Sequence, residues 1–144
     1  MTGLQVTDEY TRRGIDVVIL ENEKLRVELM PGKGFDITEI LYKRTETNVL
    51  FEAPHEWRAP GDNTAPRPDP SFAFLDHYPG GWQDVLPNAG GPATVAGAPL
   101  GQHGEAAVVP WDTTIYEKGD CVEVVGTVSL TRYPLDIRRT VLLT

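Results

Sequence analysis

The sequence has little of what disulfide-rich, membrane-spanning or nucleic-acid-binding proteins need. It contains one cysteine, Cys121, which cannot form an internal disulfide, so a reducing compartment is permitted. Apolar runs such as Val17–Leu20 are far too short to span a membrane, and the first residues lack a secretory signal. Acidic residues outnumber basic ones by 21 to 13, which gives a net charge of -8. Because nucleic acids and anionic membranes are bound through basic patches, we expect the protein to bind neither. Together with the single cysteine and the short apolar runs, this leads us to expect a soluble, cytoplasmic protein.

Several motifs for metal binding and catalysis are also missing. The three histidines, His55, His77 and His103, are far apart in sequence, and no Cys or His pair has the spacing of a zinc site. The H-x-H pair of a cupin-type metal site is absent, and so are the G-x-S-x-G elbow, the Walker loop and the dinucleotide fingerprint. We therefore expect no metal site.

Alternation of apolar and polar residues predicts strands in most of the remaining sequence. In the N-terminal third, turn residues separate four short segments that are rich in β-branched or aromatic side chains: Ile15–Leu20, Leu25–Met30, Phe35–Lys43 and Asn48–Glu52. Thr113–Glu117 is followed by a hairpin connection at Lys118–Asp120. Because no amphipathic helix is evident, we predict an all-β chain that forms a single domain over residues 1–144.

Two further alternating segments lie near the C-terminus, from Val122 to Thr131 and from Leu135 to Leu143. Within the first, Gly126 indicates a bulge or a close approach of another group. Within the second, Arg139 falls among the apolar positions. We favour a register shift or a place at the sheet margin, and the alternative is an inward arginine that faces a polar cleft.

The region from about residue 53 to 101 does not alternate in this way. It holds nine of the 12 prolines and seven of the 14 glycines, together with several aromatic residues. Loops of this length in compact domains are usually functional or disordered, and the aromatic content is too high for a linker. We predict a long ordered loop that lies over a sheet and lines a pocket.

The densest group of polar candidates lies in and just after this loop. Gly80–Gly90 contains the candidate sugar-binding residues Trp82, Gln83, Asp84 and Asn88, and Gly101–Glu105 adds His103 and Glu105. An aromatic face and planar amides or carboxylates are the groups that a sugar requires, since amides can donate to a hydroxyl or accept from it. If His103 and Glu105 are both extended, they share one face of a strand at a separation of about 6–7 Å.

Each of these residues also has a purely structural interpretation. Trp82 and Trp111 could fill the core, and the glycines and Asn88 could be turn formers. A single histidine such as His103 is more often structural than catalytic, and Glu105 could be a solvated strand residue.

The same segments resemble the galactose mutarotase-like, or aldose 1-epimerase, superfamily. The resemblance is carried by the sequence GGWQDVLPNAG at Gly80–Gly90, by LGQHGE at Leu100–Glu105 and by VPW at Val109–Trp111. The opening strands and the turn at Pro31–Gly34 are also similar to those of the family. The resemblance implies a β-supersandwich with a sugar bound in a concave cleft.

The family reaction interconverts the α and β anomers of an aldose through acid and base catalysis of ring opening. By position, His103 corresponds to a histidine that contacts the sugar near the ring oxygen, and Trp82, Gln83, Asp84 and Asn88 would lie at the cleft rim. The role of Glu105 is less defined, because other members carry different residues there. The resemblance implies no metal and no organic cofactor.

Family members are considerably longer. Their catalytic base, and a further histidine that is often cited as the acid, lie beyond the region matched here. Because strand-like alternation continues to the end at Thr144, we expect this chain to be the N-terminal portion of a longer protein. The leading hypothesis is an aldose 1-epimerase-like isomerase, and the alternative is a non-catalytic carbohydrate-binding module of the same fold.

A third hypothesis is a scaffold fragment, since an open strand edge could pair with a second copy to form a homo-oligomer. The ligand would be an aldose or a sugar phosphate. Arg58 and Arg67 are candidates for a phosphate group because they lie in the loop.

Overall fold

A computed structural model describes residues 3–55, 57–59, 61 and 70–144 of the chain. Its strands form antiparallel sheets, which confirms the all-β prediction. In chain order they are β1 (Gln5–Arg12), β2 (Ile15–Glu21), β3 (Leu25–Met30), β4 (Asp36–Tyr42), β5 (Thr47–Asn48), β6 (Ala93–Val95), β7 (Ala98–Leu100), β8 (Asp112–Lys118), β9 (Cys121–Ser129) and β10 (Asp136–Leu143). A 3-10 turn at Pro70–Phe72 leads into the four-residue helix α1 (Ala73–Asp76).

The first sheet has its five strands in chain order, from β1 to β5, because short turns connect each strand to the next. At the β2–β3 turn, the side-chain Oδ1 of Asn22 accepts hydrogen bonds from the backbone N–H groups of Lys24 and Leu25, each at 2.8 Å. This local bonding is the reason that asparagine favours turns. The β3–β4 turn at residues 31–35 also lies where the sequence predicts it.

The second sheet has the order β10-β9-β8. A tight turn at Gly119 and Asp120 joins β8 to β9, as the sequence predicts, with Lys118 paired to Cys121. The register between β9 and β10 runs without interruption from Asp136 to Leu143. The expected register shift at Arg139 is therefore wrong, and this arginine keeps the inward direction of its apolar neighbours.

The main core lies between the two sheets. It contains apolar residues of β2, β3 and β4, apolar residues of β9 and β10, and the side chains of Phe35 and Trp111. Phe35 is fully buried and stacks on Trp111 with a centroid separation of 5.7 Å. A Cβ atom on Gly126 would lie 2.6–2.8 Å from the Phe35 ring, so this glycine marks a close approach.

Three features of the fold differ from the sequence prediction. Strand β1 was not predicted, because most of its side chains are exposed and its pattern has no apolar face. The predicted strand at Asn48–Glu52 is reduced to the end of β5 and an isolated bridge between Glu52 and Gly80. The loop at 53–101 includes α1 and the β6–β7 hairpin, and its residues 56, 60 and 62–69 lie outside the described part of the chain.

Within the described ranges, no helix has the length and apolar character needed to cross a bilayer.

The contact between Gly126 and Phe35 gives a test of the packing. Gly126→Val should destabilise the fold by about 1–3 kcal/mol, because the new side chain overpacks a filled core. Urea unfolding measures this difference. Gly91→Ala is the matched control, since nothing lies within 4 Å of a Cβ at that position. Equal stability of the Gly126→Val variant and the unchanged protein would contradict the described packing.

Candidate functional site

A backbone bridge to the first sheet places the segment that carries most of the candidate residues. The N–H of Trp82 donates to the carbonyl of Ile37 at 2.8 Å, and the N–H of Ile37 donates to the carbonyl of Trp82 at 3.0 Å. Gly81 precedes the bridge with a φ of +76°, and a Cβ there would clash with the Ile37 carbonyl. Glycine is therefore required for the segment to lie this close to β4.

Trp82 projects from this bridge and is 55 % exposed. The interpretation of Trp82 as a core residue is therefore wrong, whereas it is correct for Trp111, which is buried and donates its Nε1–H to the Ala106 carbonyl. An exposed indole beside polar groups is available to stack on the apolar face of a ligand.

Arg139 lies beside the Trp82 ring. Its guanidinium carbon is 5.7 Å from the centroid of Trp82 and 5.8 Å from that of Phe35. Its Nη1 donates to the Phe35 carbonyl at 3.3 Å and to Asp84 Oδ2 at 2.9 Å. The side chain of Arg139 is 16 % exposed and that of Asp84 is 25 % exposed, so solvent reaches this ion pair only in part. Arg139 thus points inward, which was the alternative expectation, and it does so from β10, a strand at the margin of its sheet as the other expectation allowed.

A second ion pair is completely buried behind these residues. Lys33 Nζ lies 2.6 Å from Asp36 Oδ2 and also donates to the Ala107 carbonyl at 2.8 Å. The side chains of Lys33 and Asp36 are 1 % and 0 % exposed. Burial raises the pKa of Asp36 to about 6, against the opposing effects of Lys33, Gln83 and Arg139.

Gln83 lies near the buried Asp36 carboxylate. Its side-chain Nε2 donates to the Gly80 carbonyl, and its amide also favours the charged form of Asp36. Among the described residues, Asp36 Oδ1 accepts no hydrogen bond. Trp82, Gln83, Asp84 and Arg139 thus form one surface, which we call the Trp82 surface. Asp36 and Lys33 lie beneath it.

His103 and Asn88 form a separate group that organises a turn. The backbone of His103 has a φ of +60°, and its N–H donates to the Gly90 carbonyl at 3.0 Å. The ring Nδ1 lies 3.0 Å from the Ala89 carbonyl, so it must carry a proton, and Nε2 lies 3.4 Å from the amide nitrogen of Gln102. Asn88 Nδ2 donates to the carbonyls of Gly91 and Gly101, as a turn residue does.

The Glu105 side chain lies apart from both groups, at the connection between β9 and β10. Its carboxylate accepts from the backbone N–H of Arg132 at 3.0 Å and 3.3 Å, and the residue is only 9 % exposed. The segment from 101 to 109 consists of turns and bends, so His103 and Glu105 do not share a strand face as expected. The interpretation of Glu105 as a solvated residue is also wrong, because it fixes the connection between β9 and β10.

The structure does bring the two candidate segments together. The N–H groups of Glu105 and Ala106 both donate to the Leu86 carbonyl at 3.1 Å, and His103 and Asn88 add the bonds given above. Among the described residues, the hydrogen bonds and ion pairs of the six candidates place them in three groups. These are the Trp82 surface, the turn that holds His103 and Asn88, and the contact of Glu105 with Arg132. Sequence reasoning missed Lys33 and Asp36, because a lysine and an aspartate near a turn are normally expected in solvent.

Further polar and aromatic residues lie outside this group of candidates. A cavity of about 450 Å³ next to Trp57 is lined by Arg12 and Glu52 among others, and Arg12 stacks on the Trp57 ring at 3.8 Å. Arg58 donates to the Asp76 carbonyl, and Arg67 lies outside the described residues. Among the residues that the structure describes, no group of three or more His, Cys, Asp or Glu side chains could hold a metal ion.

Comparison with known proteins adds no family. No protein-family model matches the sequence, and no curated protein matches it significantly.

The buried pair gives a stability prediction. Lys33→Met leaves Asp36 buried without its cation and should destabilise the fold by about 3–5 kcal/mol at pH 7.5. The double variant Lys33→Met/Asp36→Leu removes both charges and should lose much less. Urea unfolding of both variants makes the comparison, and equal losses would contradict the assigned pair.

The pH dependence follows from the raised pKa of Asp36. A carboxyl whose pKa is higher in the folded state binds its proton more tightly there than in the unfolded chain. Its contribution to the free energy of unfolding is therefore fully present below pH 3.8, the ordinary pKa of an aspartate, and is lost as the pH rises through about 6. The destabilisation by Lys33→Met should accordingly shrink between pH 7.5 and pH 4. A loss that is constant across this range would contradict the assignment.

Proposed function

We propose that the chain binds a sugar on the Trp82 surface, formed by Trp82, Gln83, Asp84 and Arg139. The observation that carries the proposal is the exposed Trp82 indole beside the part-buried Asp84–Arg139 ion pair. The indole offers an apolar face for the C–H side of a pyranose ring. The carboxylate accepts from sugar hydroxyls and the guanidinium donates to them, and both are held in place before a ligand arrives.

The fold that we propose for this site is the N-terminal portion of a β-supersandwich of the galactose mutarotase-like type. Two antiparallel sheets with a shared core support it at the level of architecture. The sequence resemblance at Gly80–Gly90 and Leu100–Glu105 is the further argument for that type.

The second candidate function is interconversion of the anomers of an aldose, with His103 protonating the ring oxygen. The base that takes the proton of the anomeric hydroxyl would lie beyond the region matched here, as the family resemblance implies. The support for this function is the ring orientation: the Ala89 carbonyl accepts the proton on Nδ1, and the other ring nitrogen, Nε2, lies 3.4 Å from the Gln102 amide nitrogen. When the ring is charged, Nε2–H could donate to a ring oxygen. Glu105 is less suited to be the base in this arrangement, because its carboxylate is engaged by the Arg132 backbone.

Sugar binding is tested by calorimetry with glucose, galactose, mannose and their 6-phosphates. We expect saturable binding of at least one of these, and Trp82→Ala should weaken it by about tenfold through loss of the stacking face. The matched control is Tyr116→Ala, which removes an aromatic ring that is 44 % exposed on β8. Equal effects of the two substitutions, or no binding at all, would overturn the proposal.

Anomer exchange is tested on the natively expressed protein by polarimetry with a freshly dissolved aldose. If His103 is the acid, His103→Ala should slow the catalysed rate by about 10²–10⁴-fold. His77→Ala is the control, because its Nδ1 also lies near a backbone carbonyl, that of Arg58 at 3.3 Å. An unchanged rate in the His103 variant removes this residue from the mechanism. Saturable binding without any rate enhancement would favour the non-catalytic carbohydrate-binding module.

A further inference from the structure

We propose that the cavity next to Trp57 binds a small organic carboxylate, which replaces the side chain of Glu52 on the guanidinium of Arg12. The cavity has a volume of about 450 Å³, which suits a ligand of the size of a sugar acid. No residue of the Trp82 surface is among the described residues that line it, so carboxylate binding here is independent of sugar binding there.

The guanidinium of Arg12 is held in place before a ligand arrives. Its Nη1 donates to Glu28 Oε1 at 3.1 Å, and its central carbon lies 3.8 Å from the centroid of the Trp57 ring. Glu28 is fixed in turn by Thr38, whose hydroxyl donates to the same carboxylate oxygen at 2.8 Å. Glu28 and Trp57 are both more than nine-tenths buried. A guanidinium that is fixed in this way loses little side-chain freedom when it binds a planar anion.

The wall of the cavity has hydrogen-bond donors to spare. A guanidinium carries five N–H donors, and within the described part of the chain that of Arg12 makes one hydrogen bond, to Glu28. The Arg12 side chain is 46 % exposed, so its other donors can meet a ligand. The Nε1–H of Trp57 is a further donor, and it is buried without an acceptor among the described residues. A ligand that is rich in acceptor atoms therefore fits this wall.

The position of Glu52 shows which kind of group the guanidinium accepts. Glu52 Oε1 lies 3.6 Å from Arg12 Nη2, which is too far for a hydrogen bond, and the Glu52 side chain is 61 % exposed. An exposed ion pair of this kind contributes little to stability and is readily exchanged. A free carboxylate in the same place can form two parallel hydrogen bonds to the guanidinium. Ala53 and Pro54 line the same cavity and offer apolar contacts to the carbon skeleton of the acid.

The first test is an NMR titration of the 15N-labelled full chain with glucuronate at constant ionic strength. We expect saturable shifts of Arg12 Nε–H and of the Trp57 indole N–H, with a dissociation constant in the millimolar range. The methyl ester of glucuronate has nearly the same shape but no charge, and it should leave both signals in place. Absence of saturable shifts with glucuronate, or equal shifts with its ester, would overturn the inference.

Substitutions on the two sides of the exchange should act in opposite directions. Glu52→Gln removes the competing carboxylate, so glucuronate should bind about threefold more tightly, a gain that damage to the fold would not produce. Arg12→Lys keeps the charge beside Glu28 but lacks the planar fork, so binding should weaken by about tenfold. Glu39→Gln is the matched control, because Glu39 pairs with Arg26 on the same sheet and should not affect binding. A Glu52→Gln variant that binds no more tightly than the unchanged protein would contradict the exchange.

Two further ligands separate this site from other anion sites and from the proposed function. Inorganic phosphate should bind more weakly than glucuronate, and tighter binding of phosphate would overturn the assignment to a carboxylate. Glucuronate shifts that centre on Trp82 rather than on Arg12 would mean that glucuronate binds as a sugar, and they would overturn the inference but not the proposed function. Glucose should leave the Arg12 and Trp57 signals unchanged, whether or not it binds at the Trp82 surface.

Discussion

The ion pair between Arg139 and Asp84 connects the second sheet to the segment that carries Trp82. Arg139 extends from β10, and Asp84 follows the bridge that ties Trp82 to β4, so one contact joins residues that are 55 positions apart. Because both side chains are mostly shielded from solvent, water and salt screen the attraction between their charges less than in an exposed salt bridge of the same length. The exposed indole and the carboxylate that could meet a sugar hydroxyl are positioned through this contact.

The core beneath this ion pair packs against a charged side chain, that of Arg139, and the packing depends on Gly126 and Phe35. Gly126 lies opposite Arg139 in the β9–β10 register, and the absence of a side chain there admits the Phe35 ring. Phe35 in turn offers Arg139 a carbonyl oxygen and an aromatic face. A residue with a side chain at position 126 would displace the ring and with it the guanidinium. The polar site and the apolar core are therefore parts of one packing arrangement.

The strands could be predicted from sequence wherever one face is buried, because burial of one face imposes a period of two. Strand β1 could not be predicted in this way, because its side chains are mostly exposed on both faces. Trp82 and Asp84 were found from their residue types, but their partner Arg139 comes from a strand far along the chain. Composition cannot show that contact. The burial of Asp36 could not be predicted either, because a carboxylate near a turn normally lies in solvent.

The proposed function depends on sugar binding at the Trp82 surface. The most direct measurement is the change in the 15N–1H NMR spectrum of the labelled protein as glucose or galactose is added. If a sugar binds there, the largest shifts will be those of the Trp82 indole, the Gln83 amide and Arg139 Nε–H. Shifts centred on Arg12 and Trp57, at the separate cavity of about 450 Å³, would contradict it, and so would a spectrum that does not change.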